Sequence, residues 1–427
     1  MASEATGSIE TRVNTTFTSE NVLDSDITAL ADGGWVVTWQ ATDAANFSPH
    51  YVRQQHYDES GKAVGDAVTI DSFTVTDSTH YTGLEYQAAS SMLADGGWVV
   101  TWTSYGGAQF SLHRQQYAAD GSSVGDARLV NTFSTATALP GDSITALADG
   151  GWVITWTDYL QSRNVIEQQR YDADGNTVGD QTTVNSSTRV SITPSTTALS
   201  DGGWVVTWMF DQQDGSSGGI YQQRYDADGT ASGTIGKVNT FTDSSQDQPA
   251  VTALDDGGWL LTWQSNGQDG SAYGIYQQRF DRSGIAVGGE TRVNTTTAGN
   301  QNYPTVTTLA DGGWVVTWTG QDGDSFGILQ QRYDADGHAV GSETLVNVST
   351  TGQQQLSDVA ALADGGWVVS WNGLDDDTPS KLDVFQRHFA PDVIGTGFGE
   401  KLGGSSWDEM LVGFGGNDTL DGKGGAD

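Results

Sequence analysis

One tetrapeptide limits what this chain can fold into. Asp-Gly-Gly-Trp begins at Asp32, Asp95, Asp149, Asp201, Asp256, Asp311 and Asp364, at spacings of 63, 54, 52, 55, 55 and 53 residues. Seven copies at a near-constant period mark a repeat array, in which each unit buries its apolar faces against its neighbours. The clearest copy, residues 248–294, reads as four strands at 249–254, 259–264, 275–280 and 290–294. Tight turns at 255–258 and 281–284 and a polar loop at 265–274 join them. Asp and Gly in the turns supply the backbone conformations that antiparallel hairpins need.

The second strand of each unit carries Trp at both ends, as in Trp35/Trp39, Trp152/Trp156 and Trp314/Trp318. Residues four apart in a strand share a face, so Trp35, Val37 and Trp39 point one way and Val36 and Thr38 the other. A sheet apolar on both faces must be covered on both, and radially packed blades do this. Fourteen of the 15 Trp fall in this pattern, which assigns them to blade-to-blade core. A Val-Asn ending recurs at Val13, Val130, Val184, Val238, Val293 and Val346, with Ile70-Asp71 in the second place. These seven endings are shifted by one against the seven Trp strands. The first precedes them all, and nothing comparable follows the last third strand at 384–389. The expectation is therefore an all-β, seven-bladed β-propeller of four-stranded blades, closed by lending its N-terminal strand to the final blade, which leaves no unpaired edge. An open β-solenoid is the alternative.

Charge and composition narrow the partners. The 54 acidic and 18 basic side chains leave a net charge of −36. This argues against nucleic acid, which is held by clustered Lys and Arg, and against anionic membrane surfaces. No Cys is present, so disulfides contribute nothing. No apolar run approaches the roughly 18 residues of a membrane span, and residues 1–8 lack the basic and apolar regions of a secretory leader.

From Ile394 the period becomes nine. Gly395, Gly404, Gly413 and Gly422 are evenly spaced, as are Leu402, Leu411 and Leu420. In the last two turns Gly413-Phe-Gly-Gly-Asn-Asp418 and Gly422-Lys-Gly-Gly-Ala-Asp427 occupy equal positions. This tail resembles the glycine-rich nonapeptides of the RTX, or haemolysin-type calcium-binding, family. The division expected is a propeller over 1–390 and truncated repeats over 391–427, the start of a parallel β-roll. The resemblance implies Ca²⁺ held by Gly413, Gly415, Asn417, Asp418, Gly422, Gly424 and Asp427. Glu400 and Glu409 stand at the Asp position of the two earlier turns, which depart from the pattern at Ser405, Ser406 and Trp407. It also implies a bacterial protein exported by type I secretion to the cell surface or beyond, as a piece of a longer chain.

No catalytic constellation stands out in the sequence. The six His show no metal-ligand spacing, and no nucleophile elbow or phosphate loop is present. The longest spacing contains an irregular stretch, residues 71–92, with His80, Tyr81, Glu85 and Tyr86, the place for a unique site. Asp-Ala-Asp-Gly at Asp172, Asp226 and Asp334 reads as a plain turn, since it lacks the third acid and distal Glu of a calcium loop. The Arg of the repeated Gln-Gln-Arg-Tyr, at Arg170, Arg224, Arg279 and Arg332, with Arg387, is expected to pair with acids or carbonyls of neighbouring blades. Blades four to six share Gln-Asp-Gly-x-x-x-Gly-Ile between strands two and three. That loop offers Gln213, Asp214, Gln268, Asp269, Tyr273, Gln321, Asp322 and Phe326 as candidate ligands for a glycan. Amides and carboxylates bond sugar hydroxyls, and an aromatic face covers sugar C–H bonds. A turn whose Asp caps its own backbone is the competing reading. The leading functional expectation is a calcium-dependent, lectin-like or adhesive module with a glycan or polysaccharide partner. A polysaccharide lyase or hydrolase, and a purely structural surface or biofilm protein, are the alternatives.

Overall fold

The computed structural model describes residues 10–44, 48–74, 88–106, 109–133, 141–160, 163–185, 191–211, 217–323, 325–375 and 378–391. In the tail it describes 393–394, 401–403, 411–412 and 419–421. Seven four-stranded antiparallel meanders form seven blades, and no helix occurs among the described residues. The first strand of each blade lies innermost: Glu20–Ala29, Ala88–Met92, Asp142–Ala146, Ser191–Ala198, Gln246–Ala253, Asn302–Thr308 and Gln354–Ala361. Each touches the inner strands of both neighbouring blades, which makes the arrangement a ring. The open solenoid is thereby excluded.

Closure takes place where the shifted endings put it. Thr11–Arg12 pairs antiparallel with Thr378–Phe389 as the outer strand of blade seven, with Thr11 opposite Gln386 and Arg12 opposite Phe385. Val13 N–H continues the ladder to the Val384 carbonyl at 2.8 Å. Asp383, fully buried, is neutralised across this seam by Arg12 at 2.7 Å and by Lys381.

The core is divided among the seams. Trp35, Val37 and Trp39 pack on Ala360, Leu362 and Val368 of blade seven, while Val36 faces Ala88 and Trp102 of blade two. The first Trp of each unit stacks on the aromatic residue ending strand three, as Trp204 does on Tyr225 at 5.3 Å between centroids. Its indole N–H then crosses the seam. Trp35, Trp98, Trp204, Trp259, Trp314 and Trp367 donate to Gln386, Gln54, Gln168, Gln222, Gln277 and Gln330 of the preceding blade at 2.7–3.2 Å. The second Gln of the motif turns within its own blade. Gln223, for example, donates to the Arg224 and Ser232 carbonyls and ties strand three to strand four at the bulge.

Two sequence expectations need correction. In five blades the Val-Asn pair lies just beyond the fourth strand, which in blade five is Ala286–Arg292, whereas Ile70-Asp71 and Val130-Asn131 lie within theirs, Ala63–Phe73 and Ser123–Phe133. The Val293 N–H bonds the Ile275 carbonyl at 2.8 Å, and the Asn294 side-chain oxygen accepts the Ile275 N–H at 2.7 Å. The repeated Asn thus satisfies strand three where strand four ends. The Arg of strand three pairs with its own blade's turn: Arg170 with Asp149, Arg224 with Asp201, Arg279 with Asp256 and Arg332 with Asp311. That Asp also accepts the N–H of the second Gly of its own turn, 3.0 Å from Asp149. It is therefore preplaced beside the Arg, and no neighbouring blade is needed. Arg279 adds a bond to the Ala335 carbonyl of the next blade. Arg387 stands one position earlier in its strand and, as expected, donates to a neighbouring-blade carbonyl, that of Val346 in blade six, while His388 takes the place of the repeated Arg.

Candidate functional site

The seven inner strands enclose a cavity of about 330 Å³ on the ring axis. It is lined by residues eight to eleven positions before the first Trp of each unit, where the blades differ most. At nine before, the residues are Asp26, Ala89, Ser143, Ser195, Ala250, Thr305 and Asp358. Polar groups here serve the seams. Ser143 and Ser195 hydroxyls accept the Thr196 and Val251 N–H groups of the next blade at 3.1 and 3.2 Å, and Asp358 accepts the Ile27 N–H at 3.0 Å. Asp26 accepts from the Ser90 hydroxyl and is hydrogen-bonded to Asp358.

Asp24 and Asp142 complete a set of four carboxyls, all contributed by blades seven, one and three. Among the described residues that line the cavity there is no Lys, Arg or His. Burial pushes Asp24 up to about 8, Asp142 to about 7 and Asp358 to about 6, and lifts Asp26 well above the carboxylate range. Neighbouring carboxyls add to the rise at Asp24 and Asp26. The site therefore holds carboxyls in mixed protonation states near neutral pH, which suits them both to donate and to accept.

The opposite wall is less polar and is made by Pro194, Pro249, Pro304, Tyr303 and Leu356. Thr193, Gln248, Tyr303 and Leu356 occupy the same position in four successive blades and all have φ near +53° (52–54°). A bulge in each inner strand forces this left-handed conformation, which costs roughly 1–2 kcal/mol per non-Gly residue. The Gln264 side chain holds the Tyr303 N–H at 2.8 Å, and Thr319 holds that of Leu356 at 3.1 Å.

The described residues of the loops singled out from the sequence add none to this cavity. Gln213 and Asp214 lie outside the described residues. Asp269 turns into its own loop, accepting the Ser271 N–H at 3.0 Å, and Asp322 accepts the Ser325 N–H at 3.3 Å. Both carboxylates fill the space beside Gly274 and Gly327, where a Cβ would sit 2.8 Å from Asp269 Oδ2 and 2.7 Å from Asp322 Cβ. Gln268 donates to Glu290 at 2.6 Å, Gln321 is exposed and Phe326 is half-buried. Tyr273 is the exception in direction. Its hydroxyl donates to Asp247 at 3.4 Å, and Asp247 accepts from the Gln264 side chain that holds the Tyr303 N–H, so this loop is linked to the cavity wall.

The calcium candidates Gly413, Gly415, Asn417, Asp418, Gly422, Gly424 and Asp427 lie outside the described residues, as do His80, Tyr81, Glu85 and Tyr86. What is described of the tail is its pairing. Val393–Ile394 runs parallel to Leu411–Val412, and Lys401–Gly403 runs parallel to Thr419–Asp421, each residue facing the one 18 positions on. Among the described residues no group of three or more His, Asp or Glu is placed to hold a metal ion.

The axial carboxyls were missed in the sequence reading, although a signal was there. Aligning the seven units on Trp shows Asp at two of seven places where small or hydroxyl residues otherwise stand.

No protein-family profile and no curated protein matches the chain. Among solved structures the ring is similar to a protein of unknown function from Dyadobacter fermentans, with TM-score 0.51 and 10% identity over 87% of this chain and 94% of that one. It is also similar to the polysaccharide lyase Uly1, with TM-score 0.51 and 12% identity over 85% and 89%. An α-L-arabinanase of Penicillium chrysogenum, complexed with arabinobiose, aligns at TM-score 0.48 and 16% identity over 74% and 93%. At such identities the likeness to the first two, each at TM-score 0.51, shows a shared fold.

Proposed function

We propose that this protein binds carbohydrate in its axial cavity. The observation that carries the reading is the lining itself. Four carboxyls and several Ser and Thr hydroxyls stand around one small cavity, faced by Tyr303. Convergent donors and acceptors beside an aromatic ring match the surface of a sugar, and the volume lies near the lower end of the ~300–1,000 Å³ common for small-ligand pockets. A terminal sugar unit is the size that fits. That a propeller of similar fold is a polysaccharide lyase is in keeping with this reading.

The tail extends the proposal to a secreted, calcium-dependent lectin or adhesin. The parallel register of 18 residues, two nonapeptides, supports a β-roll in which Ca²⁺ binds between turns. A second reading, cleavage of the bound glycan, is favoured by the hydrogen-bonded pair Asp26–Asp358 beside Asp24, since acid–base cleavage needs one protonated and one ionised carboxyl.

A panel of plant and bacterial polysaccharides and their oligomers, titrated with and without calcium, tests both. Binding is expected, and Asp24→Asn and Tyr303→Ala are expected to weaken it about tenfold or more. Reducing-end or unsaturated-product release that Asp26→Asn abolishes favours the enzyme. A panel without binding or turnover overturns the proposal.

A further inference from the structure

We propose a second ligand site, on the outer part of the seam between blades two and three, that binds the carboxylate or sulfate of an acidic saccharide through Arg114 and Arg128. This inference rests on the carbohydrate reading but concerns a different place in the ring.

The argument begins with a departure from the repeat. Six units carry Gln where strand three meets the next blade's Trp, and each Gln accepts that indole N–H. Blade two carries Arg114 there instead, opposite Thr101. Arginine has donors only, so the Trp152 Nε1 is left buried without a partner. A buried donor left without an acceptor is destabilising. The same blade breaks the pattern a second time. Arg128 is the cross-strand partner of Arg114, whereas the corresponding residues elsewhere are Val68, Thr182, Gly236, Thr291, Thr344 and Thr11. Like charges directly opposite in a sheet are destabilising. Two structural costs therefore bring two cations together in a chain of net charge −36.

The surroundings keep that charge available. Arg114 is 6% exposed, its guanidinium lies 4.4 Å from the Tyr171 ring centroid, and one of its nitrogens donates to the Gly175 carbonyl. Arg128 is exposed. Among the described residues no carboxylate is within ion-pair distance of either, whereas Arg53, Arg170, Arg224, Arg279 and Arg332 all have one. The two Arg line a cavity of about 360 Å³ with Tyr171, Asn176 and Gln181. A planar guanidinium pinned against an aromatic ring presents a fixed fork to an oxyanion. The amides and the phenol suit the hydroxyls of the same sugar ring. At physiological salt, charges more than about 8 Å away are largely screened, so the local pair outweighs the acidic remainder.

The test is calorimetric titration of wild type, Arg114→Gln and Arg128→Ala with three probes: an oligogalacturonate, a sulfated galactan oligomer and a neutral galactan oligomer. Arg114→Gln restores the residue of the other six blades and gives Trp152 an acceptor, so its melting temperature should be equal or higher. Wild type is expected to bind an acidic probe at least tenfold more tightly than the neutral one, and either substitution should erase that preference. Which acidic probe binds better separates carboxylate from sulfate. Equal affinity for all three probes, or an acidic preference that survives both substitutions, overturns the inference and leaves the axial proposal standing. Absence of binding to any saccharide overturns both.

Discussion

At the scale of single residues, the ring is held by side chains that repeat one job from blade to blade. The seam bond from Trp to Gln shows the cost of a change. Gln277→Leu would remove the acceptor of Trp314 Nε1, now at 3.0 Å, and leave a buried indole N–H unsatisfied. A loss of about 1–3 kcal/mol is expected, read as a lower urea midpoint with unchanged slope. The second Gly of each turn is required by close approach: a Cβ on Gly313 would lie 2.3 Å from the Tyr333 carbonyl oxygen. Strain at the inner bulges gives the opposite sign. Thr193 is β-branched and left-handed at φ 54°, a conformation that Asn tolerates far better. Thr193→Asn should therefore stabilise the protein by up to about 1 kcal/mol in the same assay.

At the scale of elements, the inner strands carry both the seams and the cavity, and this couples stability to pH. An Asp in the unfolded chain ionises near pH 4. Asp24, Asp142 and Asp358 keep their protons up to about 8, 7 and 6 in the fold, and Asp26 is likewise raised. Between those limits the folded protein binds more protons than the unfolded chain. These groups therefore favour folding most at and below about pH 4, and that contribution is lost as pH rises through their folded values. The urea midpoint should fall between pH 5 and pH 8, and Asp142→Asn should flatten the fall. An equally steep fall in that variant would show that Asp142 does not carry it.

At the scale of the whole molecule, closure and the tail make separate demands. The outer strand of blade seven is supplied by Thr11–Arg12, and Val13 is 2% exposed in the core of that seam. Deleting residues 8–15 should expose the edge of Thr378–Phe389, strand Asp383 without Arg12, and replace one cooperative melt with a broad one at lower temperature. Limited proteolysis should then cut first near residues 378–389. If calcium acts through the tail, its addition should raise the melting temperature of the full chain over that in chelator, and Asp418→Asn with Asp427→Asn should abolish the shift.

Much of the architecture was legible in the amino-acid order. The Trp pair, the Asp-Gly turns and the seven strand endings, six Val-Asn and one Ile-Asp, are local devices whose meaning depends on strand alternation and turn chemistry, so blade number, strand order and closure could be read from spacing alone. The endings of five of the fourth strands could not, because a pair such as Val293-Asn294 bonds across to Ile275 rather than extending its own strand. Nor could the candidate sites. Asp269 and Asp322 read either as ligands or as caps of their own turns, and only the fold shows that both bond within their own loops. Ile27 and Asp358, 331 positions apart, meet because the last blade closes on the first. Arg114 gains its meaning only against Trp152, which belongs to another blade. Local patterning fixes how a strand folds and which face it buries; which side chains share a cavity depends on a ring that exists only once every blade is in place.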